Sequence, residues 1–305
     1  MGRLPGWQAE DHAAAFAAVR IACAAKPRAG RGPDCAEALA RGPLGEDDAR
    51  TFLERHYRPE PVDGAGLLTG YFSPAYDARS APQGEFTAAV RPVPQYGRAG
   101  PARSVIEQSP APDALAWMRP EDLFFLQVQG SGVLTFGDGA RRRAVFAGAN
   151  GLRFVAIGRA MVAEGLLPPA EASAGHVHDW LAAHRGPEAK AVMDQDPRYI
   201  YFRLVVDDGG EPQGASGATL APGRSLAVDP AYHPYFELLW IDGEDGRLSG
   251  ARPAYRRLAV ALDRGGAITG PVRADLYVGS GAAAGEEAAR VGHTLHLYRI
   301  VPIRR

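Results

Sequence analysis

The chain has 305 residues, 46% of them apolar and 23% charged, which allows two domains with substantial cores and excludes wholesale disorder. Its 34 basic and 35 acidic side chains leave a net charge of −1, so the clustered positive field of a nucleic-acid binder is missing. The 37 glycines and 25 prolines, about a fifth of the residues, imply many turns between short strands. Only Lys26 and Lys190 are lysines; the arginine excess reads as a compositional habit rather than a phosphate-binding device. The most apolar stretch, 13–25, is interrupted by Arg20 and too short to span a bilayer. The start, Met1-Gly2-Arg3-Leu4-Pro5, lacks the apolar region and cleavage site of a secretory signal, which implies a cytoplasmic protein or a removed leader.

Taken in chain order, the first sixty residues read as helical. Residues 9–25 are strong helix formers, Asp34 is placed to cap a short helix through Arg41, and 46–57 carry Phe52 and His56 at i,i+4 spacing. Cys23 and Cys35 flank the proline-rich 27–33 loop; they form either a disulfide between two helices or two buried thiols. From Gly64 the pattern changes: 67–72 and 86–90 read as strands, the second ended by Pro92 and Pro94. In the middle, 123–129 and 133–136 are strand-like, and Gly137-Asp138-Gly139 signals a hairpin into 143–147. Helices are expected at 152–164, 174–184 and 188–194. Short strands return at 199–206, 225–228, 237–241, 258–262, 274–278 and 295–300, a spacing that suggests a compact barrel. Strand-rich ends around a mixed middle point to one domain inserted into another.

Several candidate sites reduce to ordinary structure. The run Gly279-Ser280-Gly281 to Gly285 resembles a dinucleotide-binding turn, but the expected further strand and acidic residue find no room before Arg305. It reads as a tight strand-to-helix connection. His176 and His178 are i,i+2 on a helix and diverge, and His293 and His296 have no ligand-type neighbours, so no metal is expected. No Gly-x-Ser-x-Gly elbow occurs, and both cysteines lie in the helical N-terminal segment. What remains is the Asp-bearing run 261–281, where Asp263 ends one apolar strand and Asp275 enters the next across a Gly-rich loop. Loop aspartates are often turn caps. A functional reading instead needs one carboxyl held in an apolar wall with its pKa raised so that it can donate a proton.

That run, with its Asp-x-Gly-Gly-Ala-Ile start and Asp-Leu-Tyr-x-Gly-x-Gly end, closely resembles the C-terminal signature of the membrane-bound lytic murein transglycosylase A family. Six further blocks agree in order. They are Thr69-Gly70-Tyr71-Phe72-Ser73-Pro74, Gly84-Glu85-Phe86, Gln127-Val128-Gln129-Gly130-Ser131-Gly132, Ala147-Gly148-Ala149-Asn150-Gly151, Pro197-Arg198-Tyr199-Ile200-Tyr201-Phe202 and Pro222 through Asp229. Departures are modest: Asp196 stands where the family has Asn, Arg264 where it has Thr or Val, and the Tyr232 to Glu237 stretch differs from the usual turn.

The resemblance implies a mainly β fold with N-terminal helices, in which a double-psi β-barrel carries a second, inserted β-rich domain, with a glycan groove between them. The barrel would comprise 1–94 and 200–305, with the helical segment 9–57 and the signature 261–281; the insert would comprise 95–199. The implied reaction cleaves the β-1,4 bond between N-acetylmuramic acid and N-acetylglucosamine and closes the muramyl C6 hydroxyl onto C1. No water attacks, so one carboxyl can act first as acid and then as base, where a hydrolase needs two. By motif, Asp275 is the acid/base, Asp263 and Thr69 support it, and Tyr71 lies near the scissile bond. Gln129, Ser131 and Asn150 would bind sugar hydroxyls and acetamides, unless they are backbone turn caps. The implied partner is the peptidoglycan glycan strand, met by a periplasmic monomer with an outer-membrane lipid anchor in its leader, and no cofactor or metal. A non-catalytic cell-wall-binding barrel is the competing reading.

Overall fold

The structure is a computed structural model that describes residues 1–27, 32–94, 100–248 and 250–303. In chain order it runs through α1 (His12–Ala25), α2 (Pro33–Arg41), α3 (Glu46–His56), β1 (Tyr57–Pro61), β2 (Gly66–Ser73), β3 (Ala75–Ala78) and β4 (Ala88–Val90). Next come α4 (Arg103–Gln108), β5 (Ala116–Met118), α5 (Pro120–Gln129), β6 (Ser131–Phe136), β7 (Arg141–Ala149), α6 (Ile157–Ala163), α7 (Ala174–Ala183), α8 (Pro187–Met193) and β8 (Ile200–Val206). The chain ends with β9 (Ser225–Ala227), β10 (Leu238–Glu244), β11 (Tyr255–Asp263), β12 (Arg273–Ser280), α9 (Ala282–Ala288) and β13 (Gly292–Pro302). Two compact units result, Met1–Phe72 with Glu211–Arg305, and Ser73–Gly210.

In the first unit seven strands are ordered β1-β13-β10-β11-β9-β12-β2, and β2 also pairs with β13. The β9–β11 step is parallel, while β10 lies antiparallel to both β11 and β13. Period-2 alternation sends successive side chains to two different cores. Trp240, Leu258, Val260 and Tyr277 pack with Trp7, Phe16, Phe52 and Leu53 of the N-terminal segment. Their neighbours Leu239, Ile241, Ala259, Ala261 and Leu276 pack instead with Leu68, Leu226, Leu295 and Leu297. Both faces are therefore covered, which is why 258–262 reads as an unbroken apolar run.

The N-terminal helices are tied down by more than apolar contact. Asp11 caps α1 by accepting from the Ala14 N–H at 2.8 Å. Cys23 and Cys35 form a disulfide with Cα atoms 5.2 Å apart, which resolves the two alternatives open in the sequence. Asp34 does not cap α2. The cap residue is Gly32, and Asp34 instead accepts the Tyr57 hydroxyl at 2.7 Å.

The second unit is built on the sheet β3-β6-β7-β8 with the small β4–β5 pair. The unit begins at Ser73 rather than at 95, because β3 pairs in parallel with β6 and β4 with β5; it runs on to Gly210 rather than 199, because β8 pairs with β7. One expected strand, 123–129, is a helix. In α5 Pro120 occupies the first turn with Glu121 and Asp122, and Gly130 closes the helix at φ 82°. Its apolar residues are buried on nearly every side, against the sheet and against α6–α8, so no helical stripe was visible in the sequence. In the first unit the Gly-rich connection and α9 lead into β13, which contains the strand expected at 295–300; the glycines serve a strand-to-helix turn, with Gly279 at φ 127° and Gly281 at φ 83°.

Candidate active site

The signature aspartates come together in the first unit through strand alternation. On β12, Arg273, Asp275 and Tyr277 share one face, and on β2, the strand's neighbour in the sheet, Thr69 and Tyr71 share one face. The Thr69 hydroxyl donates to Asp275 Oδ1 at 2.6 Å. The Tyr71 hydroxyl donates to Asp263 Oδ2 at 2.8 Å, and its ring lies 5.2 Å from that of Tyr277. Asp263 ends β11 just past a register shift between Ala261 and Asp263, which breaks the regular ladder where the loop begins.

The two carboxyls differ in how they are occupied. Asp263 Oδ1 accepts the backbone N–H groups of Ala215 and Arg264, each at 2.9 Å, and its Oδ2 takes the Tyr71 hydroxyl. Asp275 uses Oδ1 for Thr69, and its Oδ2 accepts no hydrogen bond from any described residue. Burial pushes the Asp275 carboxyl above the usual carboxylate range, and the charge of Asp263 pushes the same way, while the Thr69 hydrogen bond and the Arg273 charge pull it down. Burial likewise raises Asp263, against its three donors. The Tyr71 phenol, enclosed and facing both aspartates, is pushed far above its ordinary value and stays a donor.

The loop between the aspartates is held from one side by the segment that departs from the family pattern. The buried His233 contacts Glu237 Oε2 through Nδ1 and the Pro271 carbonyl through Nε2, both at 2.7 Å. Asp229 Oδ2 accepts the Gly270 N–H at 2.8 Å. Phe236 sits in this turn at φ 70°, a left-handed conformation that costs a β-carbon-bearing residue of order 1–3 kcal/mol and persists because the surroundings over-determine it.

Comparison with known proteins places this arrangement. The family profile described as the MltA specific insert domain matches residues 67–203, and that of the 3D domain matches 224–301. A membrane-bound lytic murein transglycosylase A of Vibrio cholerae is 31% identical over 246 residues, 78% of this chain and 65% of the relative. The chain belongs to the membrane-bound lytic murein transglycosylase A family. The matched part spans just under two thirds of the length of that Vibrio relative. Among solved structures, a membrane-bound lytic murein transglycosylase from Agrobacterium tumefaciens is 28% identical with a TM-score of 0.84, covering 99% of this chain and 96% of that one. The Escherichia coli MltA with bound chitohexaose is 26% identical with a TM-score of 0.80, covering 96% and 90%.

The remaining residues singled out by resemblance to the MltA family lie in the second unit. Asn150 is 2% exposed. Its Nδ2 donates to the carbonyls of Pro101 and Pro197 at 2.9 and 2.8 Å, and its Oδ1 accepts from Leu152 and Tyr199. All its hydrogen-bonding capacity goes to backbone, so this motif residue is a loop clamp and has nothing left for a sugar. Gln129 ends α5 and Ser131 opens β6 opposite Val145; both are half-buried. Asp196, which replaces the family Asn, accepts from the Val155 and Arg198 N–H groups and pairs with the buried Arg103 at 3.7 Å.

Two residues near the aspartates escaped the sequence reading. Arg273 donates from Nη2 to Thr69 Oγ1 at 2.9 Å; its place two positions before Asp275, on the same strand face, was the available signal. Glu211 accepts the Tyr277 hydroxyl at 2.5 Å and the Ser280 hydroxyl at 2.8 Å, and nothing local in the sequence pointed to it. Among the described residues, no group of three or more His, Cys, Asp or Glu could hold a metal ion. No described helix is long and apolar enough to cross a membrane.

Proposed function

We propose that the protein is a lytic transglycosylase that cleaves the β-1,4 bond between N-acetylmuramic acid and N-acetylglucosamine in peptidoglycan and leaves a 1,6-anhydromuramic end. The observation that carries this reading is the unequal occupancy of the two aspartates. An acid must hold a transferable proton on an oxygen that nothing else has claimed, and of these two aspartates Asp275 offers one among the described residues. Burial pushes its pKa upward and so favours the protonated form, which can give the Oδ2 proton to the glycosidic oxygen as the bond breaks. The resulting carboxylate then takes the proton of the muramyl C6 hydroxyl as that oxygen closes onto C1. The ring closure is intramolecular and gains from effective molarity, so one carboxyl suffices. Asp263, Tyr71 and Thr69 hold it in place.

The names of the relatives and the chitohexaose complex of the Escherichia coli protein support a β-1,4-linked amino-sugar polymer as ligand. The pairing of β2 back onto β13, together with the parallel β9–β11 step and the 3D-domain match, supports reading the first unit as a double-psi β-barrel. The Cys23–Cys35 disulfide supports an oxidising compartment, the periplasm, where the protein would act as a monomer held near the outer membrane.

Mass spectrometry of purified sacculi after digestion tests the reaction. Anhydro ends from the native chain and none from Asp275→Asn are expected. Reducing ends would mean hydrolysis, and intact sacculi with retained glycan binding would mean a non-catalytic module.

A further inference from the structure

We propose that Arg273 is a positioning residue that determines which oxygen of Asp275 carries the transferable proton. This rests on Asp275 being the acid. The argument is one of hydrogen-bond polarity. A guanidinium only donates, so the contact from Arg273 Nη2 to Thr69 Oγ1 at 2.9 Å makes the threonine oxygen an acceptor. The Arg273 N–H fills one lone pair of the threonine oxygen and keeps the hydroxyl proton from pointing that way, which favours its donation to Asp275 Oδ1 at 2.6 Å. Oδ1 is thereby favoured as an acceptor. The proton of neutral Asp275 is then favoured on Oδ2, which accepts no hydrogen bond from a described residue.

The guanidinium is itself held. Its Nη1 donates to the Leu67 carbonyl at 3.2 Å and the Ala274 carbonyl at 2.6 Å, one on β2 and one on β12, so its aim at Thr69 is set by the backbone of both strands. Remove Arg273 and the hydroxyl can rotate. It could accept from a protonated Oδ1 as readily as donate to a bare one, and the proton would divide between the two oxygens. The groups facing Asp275 are few: Thr69 and the Tyr71 phenol on β2, Arg273 on its own strand and Asp263 on β11, with the uncharged Ala227 opposite on β9. Arg273 is the cation among them, so it also tempers the upward push from burial and from Asp263.

The sign of the effect follows. In a mechanism that begins with a protonated Asp275, the alkaline limb of kcat/KM reports the acid of the free enzyme. Without the neighbouring positive charge the neutral carboxyl is favoured, so the limb moves to higher pH even as turnover falls. A purely structural loss would lower activity at all pH values and leave the limb where it was.

The experiment measures pH profiles of anhydromuropeptide release from soluble glycan strands for the native chain, Arg273→Met, Arg273→Lys, Thr69→Val and Asp275→Asn, with the double variants of Arg273 and Thr69. Arg273→Met should raise the limb by about half to one pH unit, less than a directly paired arginine would give. Its kcat should fall on the order of tenfold, part of what a general acid supplies, with KM nearly unchanged. Arg273→Lys, which keeps the charge, should return the limb to the native position. The losses in kcat should not add when Thr69→Val is combined with Arg273→Met, because one acts through the other. A folded Arg273→Met variant with an unmoved limb, or fully additive losses, overturns the inference. Should Arg273→Met fail to fold, the Arg273→Lys and Thr69→Val cycle decides on additivity alone. Activity retained by Asp275→Asn would instead remove the acid assignment itself, an outcome distinct from either.

Discussion

Glu10 is a short lever on the stability of the first unit. It is 7% exposed and ties the N-terminal segment to β11 and to the residue before β9. Its Oε2 accepts the Leu258 N–H at 2.6 Å, and its two oxygens take both Nη atoms of Arg224 at 3.1 and 2.9 Å. Arg224 in turn accepts the Val260 N–H on its carbonyl and precedes Ser225, which pairs with Tyr277 on the Asp275 strand. Glu10→Ala leaves a largely buried guanidinium without its counter-charge, which costs about 3–5 kcal/mol, and an unpaired amide within that sum. Arg224 keeps the Leu258 and Asp11 carbonyls, so the lower half of the range, about 3–4 kcal/mol, is expected. Glu10→Gln keeps an acceptor for Leu258 and should cost about half as much. Hydrogen exchange of a peptide spanning 255–263, followed by mass spectrometry in increasing urea, reads this unit without interference from the other. The double variant Glu10→Ala with Arg224→Met should recover part of the loss, since no buried charge is then left unmatched. A cost below about 1 kcal/mol for Glu10→Ala would refute the view that this pair clamps the sheet.

Other expectations are as direct. Asp263→Asn should lower turnover less than Asp275→Asn in the sacculus assay, because it disturbs a fully bonded carboxyl rather than the proposed proton carrier. Asn150→Ala should destabilise the second unit by about 2 kcal/mol or more through its orphaned backbone partners, with any loss of glycan binding recovered at lower temperature; selective loss of binding in a fully stable variant would restore its sugar-contact reading. Replacing Cys23 and Cys35 by serine should cost about 3 kcal/mol in urea unfolding of the first unit, and thiol titration of the denatured, unreduced native chain should find no free thiol. His233 donates from both ring nitrogens, to a carboxylate and a carbonyl, and its pKa is raised by Glu237 and Pro271 against the opposing effect of burial. Its stabilisation is therefore complete below the ordinary histidine value of about 6.5 and is lost as pH rises through the elevated folded value. His233→Gln should flatten that decline in melting temperature; an unchanged slope would contradict it.

Much of the first unit was legible because its strands alternate between two cores, so each position carried a pattern of apolar residues bounded by Gly, Pro or Asp. The same physics hid α5. A helix buried on several sides has no polar stripe, and 123–129 then matches a buried strand equally well; only Pro120, the two acids after it and Gly130 could have decided otherwise. The two readings of Asn150 stayed open in the sequence for a different reason. A loop amide that binds a sugar and one that clamps four backbone groups have the same local sequence, and only burial, set by residues 101, 197 and 199, separates them. The unit boundaries moved because β3 finds its partner at Val133, far beyond the window in which turn signals act.

The two signature aspartates are the sharpest case of what position alone leaves undetermined. Both end or enter apolar strands, both are half-buried, and burial raises the pKa of both. Burial alone would therefore offer two candidate acids. The difference arises in the donors. The chain after Asp263 turns so that its own Arg264 N–H and that of Ala215 reach one oxygen, while Tyr71 reaches the other; three donors favour the ionised form and leave no oxygen to deliver a proton from. Asp275 lies inside a strand, where its backbone neighbours are committed to the ladder with β9, so only side chains can approach it. Of those, Thr69 takes a single oxygen. A strand interior thus starves one carboxyl of donors that a loop supplies freely to the other, and the carboxyl left short of donors is the one able to move a proton.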